Sequence, residues 1–316
     1  MSQSTSPSRN RVYGTALVCR TWKVSRATVY RHGTAACADP DVARPALRRG
    51  PVGACASQDL LVHIKTKIEA SPFQGEGYRK IWARLRYKGV RTAARRVRRV
   101  MKENGLLAPH RPRVRPEHLH DGTIVTERVD EVWGTDMTQT VTTDQGRAYV
   151  FIAVDHCSGE LIGTHASHQA TRWEALEPIR QGVARHFGGL AQDRALGLKL
   201  RHDHGSNYMS DDFQQEIKFF GIASSPAYVR QPEGNGVAER TIRMLKEQLL
   251  WVRFFTTVEE LRLGLATFAT QYNDAWLRQR HGHKTPNQIR AEQRGLATNV
   301  ATGLKIAAQQ ALRDVS

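Results

Sequence analysis

At 316 residues the chain is long enough to bury a full core and to carry one or two small domains besides. Its 47 Lys and Arg against 30 Asp and Glu leave a net charge of +17, and the excess is confined: residues 1–120 hold 25 basic and 7 acidic side chains, the remainder 22 and 23. A basic segment on a near-neutral body suits a polyanion, and the apolar stretches fall short of the roughly 20 residues of a membrane span, so no spanning helix is expected.

The N-terminus carries no apolar signal region. Cys19, Cys37, Cys55 and Cys157 show no paired spacing and no companion histidine pattern, which argues against a zinc site or a disulfide framework. The expected setting is the reducing cytoplasm.

In chain order, Ala16 to Arg31 reads as a helix-turn-helix or an ordinary helical hairpin, with Ala16, Leu17 and Trp22 at apolar positions. Lys23-Val24-Ser25 supplies the turn and Ser25 an N-cap. Arg26, Thr28 and Arg31 on the second helix are its candidate DNA contacts. A linker comes next. Leu61, Ile64 and Ile68, then Ile81 and Leu85, then Val97, Val100 and Met101 mark three helical faces. The third helix carries Arg95, Arg96, Arg98 and Arg99, and Asn104-Gly105 ends it. This charge density predicts a second small DNA-binding domain. The three prolines between Pro109 and Pro116 forbid a regular helix, so that stretch is a basic linker.

Strands are expected at 131–141, 148–155 and 160–165, a helix from Thr171 to Phe187, and a strand running into Asp203. A helix at 210–220, a short strand at 222–224 and a long helix from Gly236 complete the pattern. Hairpin strands beside crossover-connected ones imply a mixed sheet with helices on both faces. Ser225 to Gly234 reads as a loop leading into the last helix.

Three acids stand out in this frame. Asp136 lies inside Val132-Trp133-Gly134-Thr135-Asp136-Met137-Thr138, where Asp is a poor strand residue and so asks for a reason. Asp203 ends its strand just before Gly205, and Glu239 opens the last helix. Oxygen ligands of this kind suit magnesium, and a pair of such ions serves phosphodiester chemistry. Asp155 at a strand end and Glu233 in the loop are the acids most easily mistaken for members of the set.

Trp133-Gly134-Thr135-Asp136-Met137-Thr138, His202-Asp203-His204-Gly205-Ser206-Asn207-Tyr208 and Glu233-Gly234-Asn235-Gly236-Val237-Ala238-Glu239-Arg240 closely resemble the catalytic core of bacterial insertion-sequence transposases, in the retroviral integrase superfamily. Tyr272-Asn273 and Lys284-Thr285-Pro286 resemble that family's closing motif. One departure is that histidines flank the second Asp, where many members carry Ser or Thr before it and a small or polar residue after it.

The resemblance implies a ribonuclease-H-like five-stranded sheet and a triad of Asp136, Asp203 and Glu239 holding two magnesium ions, with manganese a possible substitute. It implies DNA cleavage and strand transfer of a mobile element, carried out by a homo-oligomer on double-stranded DNA in the bacterial cytoplasm, associated with the nucleoid when bound. The alternatives are a nuclease on the same fold and a DNA-binding regulator with an inactive core. Arg243 and Lys246 share the Glu239 face of the helix; Lys246 is expected to meet a DNA phosphate, and Arg243 either a phosphate or Glu239 as an i,i+4 ion pair. The expected domains are 1–35 helix-turn-helix-like, 36–56 linker, 57–108 helical DNA-binding, 109–123 basic linker, 124–293 catalytic core and 294–316 tail.

Overall fold

Residues on β2 (Gly146–Asp155) alternate cleanly between two environments. Ala148, Val150 and Ile152 face one apolar cluster, while Phe151 and Ala153 face another. This period of two, apolar on both faces, is what a central strand of a covered sheet requires. β2 pairs antiparallel with β1 (Val132–Thr142) and with β3 (Leu161–Ser167). β1 pairs in parallel with β4 (Lys199–His202), and β4 with β5 (Ala223–Pro226), giving the order β3-β2-β1-β4-β5. The expected mixed five-stranded sheet is present. In this computed structural model residues 3–36, 55–109, 126–227 and 235–295 are described, and two compact units divide at Ala54.

The N-terminal unit holds α1 (Gly14–Thr21) and α2 (Arg26–Ala36), joined through Lys23 at φ 52°. Its expected apolar positions do not form a core. Leu17 is 48% and Trp22 64% exposed, Ala16 is exposed, and among the unit's described residues only Cys19 is buried. Two helices of 8 and 11 residues are too short to cover one another. Cys37 and most of the expected linker lie outside the described residues.

The second unit begins with α3 (Ser57–Glu69), α4 (Tyr78–Tyr87) and α5 (Ala94–Glu103). Leu60, Ile64, Ile81, Leu85, Val97, Val100 and Met101 form their shared core; on α3 Leu60 takes the buried place, while the expected Leu61 and Ile68 pack half-buried at its edge. The basic linker after α5 lies almost wholly outside the described residues.

One face of the sheet is covered by α6 (Arg172–Phe187) and α8 (Asp211–Phe219), which comes after the short α7 (Ser206–Met209). The expected helix at 210–220 is thus α8, preceded by this extra turn. Thr171 caps α6 by accepting from the Glu174 amide, and Gly188 ends it at φ 79°. The opposite face is covered by α9 (Gly236–Leu245), a wide π turn over Lys246–Leu250, and α10 (Val258–Ala275). α10 is an addition to the elements expected from the sequence, although Thr257 and Glu260 form its capping pair and Leu261, Leu265, Phe268 and Tyr272 make its buried stripe.

The two pairs of the closing motif have structural work. The Asn273 side chain accepts from Leu161 N–H and donates to Leu161 C=O, occupying the outer edge of β3. Thr285 and Gln288 bond reciprocally, with Pro286 between them, and open the last helical stretch, 286–295. Arg290 on that stretch clamps Asp130, just before β1, with bonds of 2.5 and 2.9 Å, and also binds Glu160. Burial opposes ionisation of Asp130, but the bonds and charge of Arg290 hold its carboxyl below the usual range.

α6 lies against the sheet because Gly163 leaves room: a methyl there would sit 2.1 Å from the Pro178 carbonyl oxygen. Backbone cannot yield as a side chain can. Gly163→Ala should therefore destabilise the protein by about 2–3 kcal/mol, whereas Gly77→Ala, which meets no atom within 4 Å, should be near neutral. Thermal melts of the two variants side by side check this, and equal midpoints would contradict it.

Candidate active site

The sheet register brings two of the three acids together. β1 and β4 pair in parallel through Val132 with Lys199, Trp133 with Leu200 and Gly134 with Arg201. Two further steps along both strands reach Asp136 and Asp203, the latter just past the last residue of β4. Neighbouring strands lie about 4.8 Å apart, so the two carboxylates leave adjacent backbone positions.

Glu239 is brought in by α9. Trp133 and Met137 face the α6 side of β1, so Gly134 and Asp136 face the side that α9 covers. Asn235, immediately before α9, donates its side-chain amide to the Thr135 carbonyl at 3.0 Å. Gly134 admits this approach, since a methyl there would lie 2.8 Å from His156 and 3.1 Å from the Asn235 side-chain oxygen. Glu239 is one helical turn, about 6 Å, beyond Asn235. Asp136 is two strand residues, about 7 Å, beyond Gly134. Sequence reasoning missed Asn235, although its place four residues before Glu239 sets it on the same helical face.

Asp136 registers the company it keeps. Burial raises its carboxyl to about 6, a bond from the Met137 amide opposes this, the charges of Asp203 and Glu239 add to the rise, and the Lys246 ammonium pulls it back. Burial also raises Glu239. Asp136 spends one oxygen on Met137 N–H and Asp203 one on Gly205 N–H, both at 2.8 Å.

The expected three-carboxylate cage is not closed. Among the described residues no three His, Cys, Asp or Glu side chains converge closely enough to hold an ion. Without a cation, burial first and the charges of Asp203 and Glu239 after it make Asp136 hold its proton more tightly. The donor set still fits a hard divalent cation, being all oxygen and carrying more negative charge than Lys246 alone offsets.

The histidines flanking Asp203 are structural. His202 is buried, and its ring nitrogens meet the Asp203 carbonyl at 2.7 Å and the Ser224 hydroxyl at 2.9 Å, tying β4 to β5. Burial keeps it below its ordinary pKa, and it stacks on Tyr208. His204 donates to the Ala227 carbonyl at 2.5 Å. β5 runs to Pro226, two residues beyond the expected strand, and residues 228–234, including Glu233, lie outside the described residues. Asp155 is fully buried and accepts from Asp130 and Ser158, so it serves the fold.

The candidate DNA contacts divide. Arg95, Arg98 and Arg99 are exposed on α5. Arg96 instead turns inward and donates to the Cys55 carbonyl at 2.6 Å, which withdraws it from that surface. Arg26 and Arg31 are exposed on α2, while Thr28 is half-buried. Lys246 is half-buried. Arg243 pairs with Glu247 at 3.3 Å, not with Glu239.

Residues 126–232 and 221–286 match the Integrase core domain family, and residues 60–114 match the HTH-like domain family, which therefore covers α3 to α5. The chain belongs to the integrase-core proteins. It is homologous to the transposase InsD for insertion element IS2A/D/F/H/I/K of Escherichia coli, 25% identical over 237 residues, 73% of this chain and 77% of that protein. The InsD transposase for insertion element IS2-9 of Escherichia coli strain K12 is equally similar, with 76% of its length covered. Among solved structures, the catalytic core domain of BIV integrase is 21% identical, with a TM-score of 0.39 over 54% of this chain and 99% of that one. The HTLV-2 integrase catalytic core in complex with magnesium is 19% identical, with a TM-score of 0.38 over 51% and 97%. The chain thus carries an integrase core and is similar to insertion-element transposases over 73% of its length.

A folded-state pKa of about 6 for Asp136, against 3.8 ordinarily, has a consequence for stability. Between about pH 4 and 6 the folded protein keeps a proton that the unfolded chain has released. Stability therefore falls as pH rises through that window and stays lower above it. At neutral pH, without divalent metal, Asp136→Asn should be more stable than the parent by about 1–3 kcal/mol. Melts of both proteins from pH 4 to 7 should show a difference that grows with pH; a constant difference would show that Asp136 titrates normally.

Proposed function

We propose that the chain cuts DNA at the ends of a mobile element and joins the freed 3′ ends to a target, with Asp136, Asp203 and Glu239 as the metal-holding triad. The observation that carries this reading is the juxtaposition of two aspartates on adjacent parallel strands with a glutamate on the helix crossing the same face, in a chain homologous to insertion-element transposases. A pair of magnesium ions, or manganese in their place, would when bound supply an activated attacking oxygen and a stabilised leaving oxygen.

The chain's own groups do the rest. In the absence of cations Asp136 competes for a proton near neutral pH, so binding of divalent metal displaces that proton and is favoured at higher pH. Lys246, close enough to Asp136 to influence it, offers a compact ammonium for a backbone phosphate beside the triad. Arg243 is exposed, and its pairing with Glu247 is of the surface kind that contributes little, so a phosphate can replace Glu247. Arg95, Arg98 and Arg99 give α5 a positive outer face for duplex DNA. Arg26, Thr28 and Arg31 extend the same role to the N-terminal helices. Joining two element ends to one target calls for two active sites, hence a homo-oligomer assembled on DNA in the bacterial cytoplasm.

Asp136→Asn, Asp203→Asn and Glu239→Gln should each abolish magnesium-dependent cleavage and joining of end-like oligonucleotides while leaving DNA affinity largely intact. Near-normal joining by any one of them would remove that residue from the triad. Cut product without joined product from the parent would place the chain among nucleases, and bound but unaltered DNA among regulators.

Lys246→Ala should slow joining about tenfold, the effect of losing roughly 1.4 kcal/mol in the transition state. Its melting temperature should stay close to the parent's, and joining as fast as the parent's would show that Lys246 meets no phosphate.

Replacing Arg95, Arg98 and Arg99 together by Ala should weaken duplex binding and flatten its salt dependence by nearly one log unit per lost phosphate contact. An unchanged slope across a salt series would mean that α5 faces away from DNA.

A further inference from the structure

The helix that carries Glu239 and Lys246 does not end as an α-helix. It opens into the π turn Lys246–Leu250, a wide and uncommon form often found at functional sites. Gln248 sits in the middle of this turn. Its side-chain oxygen accepts from the Gln74 backbone N–H at 2.9 Å, and its side-chain nitrogen donates to the Gln74 backbone C=O at 3.1 Å. One side chain thus satisfies both polar groups of a single residue 174 positions away in sequence.

Gln74 belongs to the loop between α3 and α4, and that loop is fixed firmly. Phe73 is buried in the cluster beneath α9 and α10, with its ring edge-on to Phe268 at 6.3 Å and to Trp276 at 4.9 Å. Glu76 takes a two-pronged bond from Arg84 at 2.8 and 2.9 Å, and Arg84 also donates to the Ala275 carbonyl at 3.0 Å. Tyr87 donates to the His283 carbonyl at 3.0 Å. The helical domain that bears the arginine face of α5 is therefore anchored along α10 and the segment just C-terminal to it, and its loop reaches the turn through Gln248.

Geometry makes Gln248 sensitive. Lys246 lies seven residues past Glu239 and shares its face, whereas Gln248 lies two residues further, roughly half a turn around the helix. Any rotation or re-tightening of the turn that frees Gln248 also swings Lys246 relative to Asp136. A plain α-helical continuation is the intrinsically preferred alternative for Lys246-Glu247-Gln248-Leu249-Leu250, so the wide form needs an external hold.

We propose that Gln248 is a positioning residue for DNA cleavage and joining: its grip on the Gln74 backbone holds the wide turn in register and so couples the placement of Lys246 to the domain that carries α5. This rests on the transposase reading of the triad.

Gln248→Met keeps the length of the side chain and removes both bonds. In the full-length protein it should lower kcat for magnesium-dependent joining about tenfold, with KM for end-like duplex and the melting temperature close to the parent's. Gln248→Glu, which retains the acceptor for Gln74 N–H, should fall between the two. Parent-like kcat in Gln248→Met would overturn the proposal. A parallel loss of melting temperature and DNA affinity would also overturn it, since that describes a merely structural contact. Amide hydrogen exchange gives a reading independent of activity. Residues 246–250 should exchange faster in Gln248→Met than in the parent, and equal exchange would sink the coupling. If the parent itself joins no DNA, the transposase reading fails while the exchange comparison still decides whether Gln248 holds the turn.

Discussion

Carboxylates gathered on an apolar sheet constitute the constraint around which the core is arranged. Asp136 emerges from a strand whose flanking residues Trp133, Gly134 and Thr135 are all buried, beside Asp203 and beneath Glu239. Raising a carboxyl from 3.8 to about 6 corresponds to roughly 3 kcal/mol against its ionised form at neutral pH. That is a sizeable part of the net stability of a domain. A slip of one residue in β1 would carry Asp136 to the other face and remove the conflict, so the register has to be held against it. Trp133 does this on one side, filling the cluster beneath α6 and donating to Asp130 at 3.0 Å. Arg290 does it at the strand's start by clamping Asp130, and Asn235 does it on the opposite face at Thr135. The proposed triad is placed by packing in which none of its three members takes part.

How much of this was legible in the sequence depends on the range of the interactions. Helix faces set by near neighbours, such as Ile81 with Leu85 and Val97 with Met101, stood out as spacing and are buried together. The cap at Thr171 and the stop at Gly188 were local as well. Asp136 was conspicuous because an Asp inside an apolar strand contradicts its surroundings. What the sequence hid was long-range. Nothing near Arg96 announces that its guanidinium meets the Cys55 carbonyl, and nothing near Arg243 favours Glu247 over Glu239, since both lie four residues away. The exposure of Leu17 and Trp22 reflects what two short helices cannot cover, which is a matter of area and not of pattern. The histidines beside Asp203 stood out only as a departure from the family pattern, and their partners on β5 and at Ala227, more than twenty residues away, make them fasteners.

The same distinction bears on how the molecule divides its labour. Positive charge is concentrated in the first 120 residues and the acids that matter are in the last 200, so recognition and chemistry look separable by composition. The second unit contradicts that separation. Phe73, only a few residues past α3, is buried in the core of the catalytic sheet, and Arg84 on α4 binds the end of α10. A domain joined by a flexible linker alone would let bound DNA sample many positions relative to the triad. A domain seated through a buried aromatic ring, a shielded ion pair and several backbone bonds confines it to few.

Confinement of this kind supports the proposed strand transfer over simple hydrolysis. Water is available from every direction, so a hydrolase needs only to hold one phosphodiester. A strand-transfer enzyme must hold a 3′-hydroxyl and a second phosphodiester in line at once, where misplacement by 1 Å is expensive in rate. The fixed seating of α3 to α5 on the integrase core, and the opposed helical positions of Lys246, whose charge reaches Asp136, and Gln248, which binds Gln74, are features that the proposed joining would use and hydrolysis would not. In the proposed reaction the rigidity of the fold would serve joining, and the carboxylates would supply the chemistry that both reactions share.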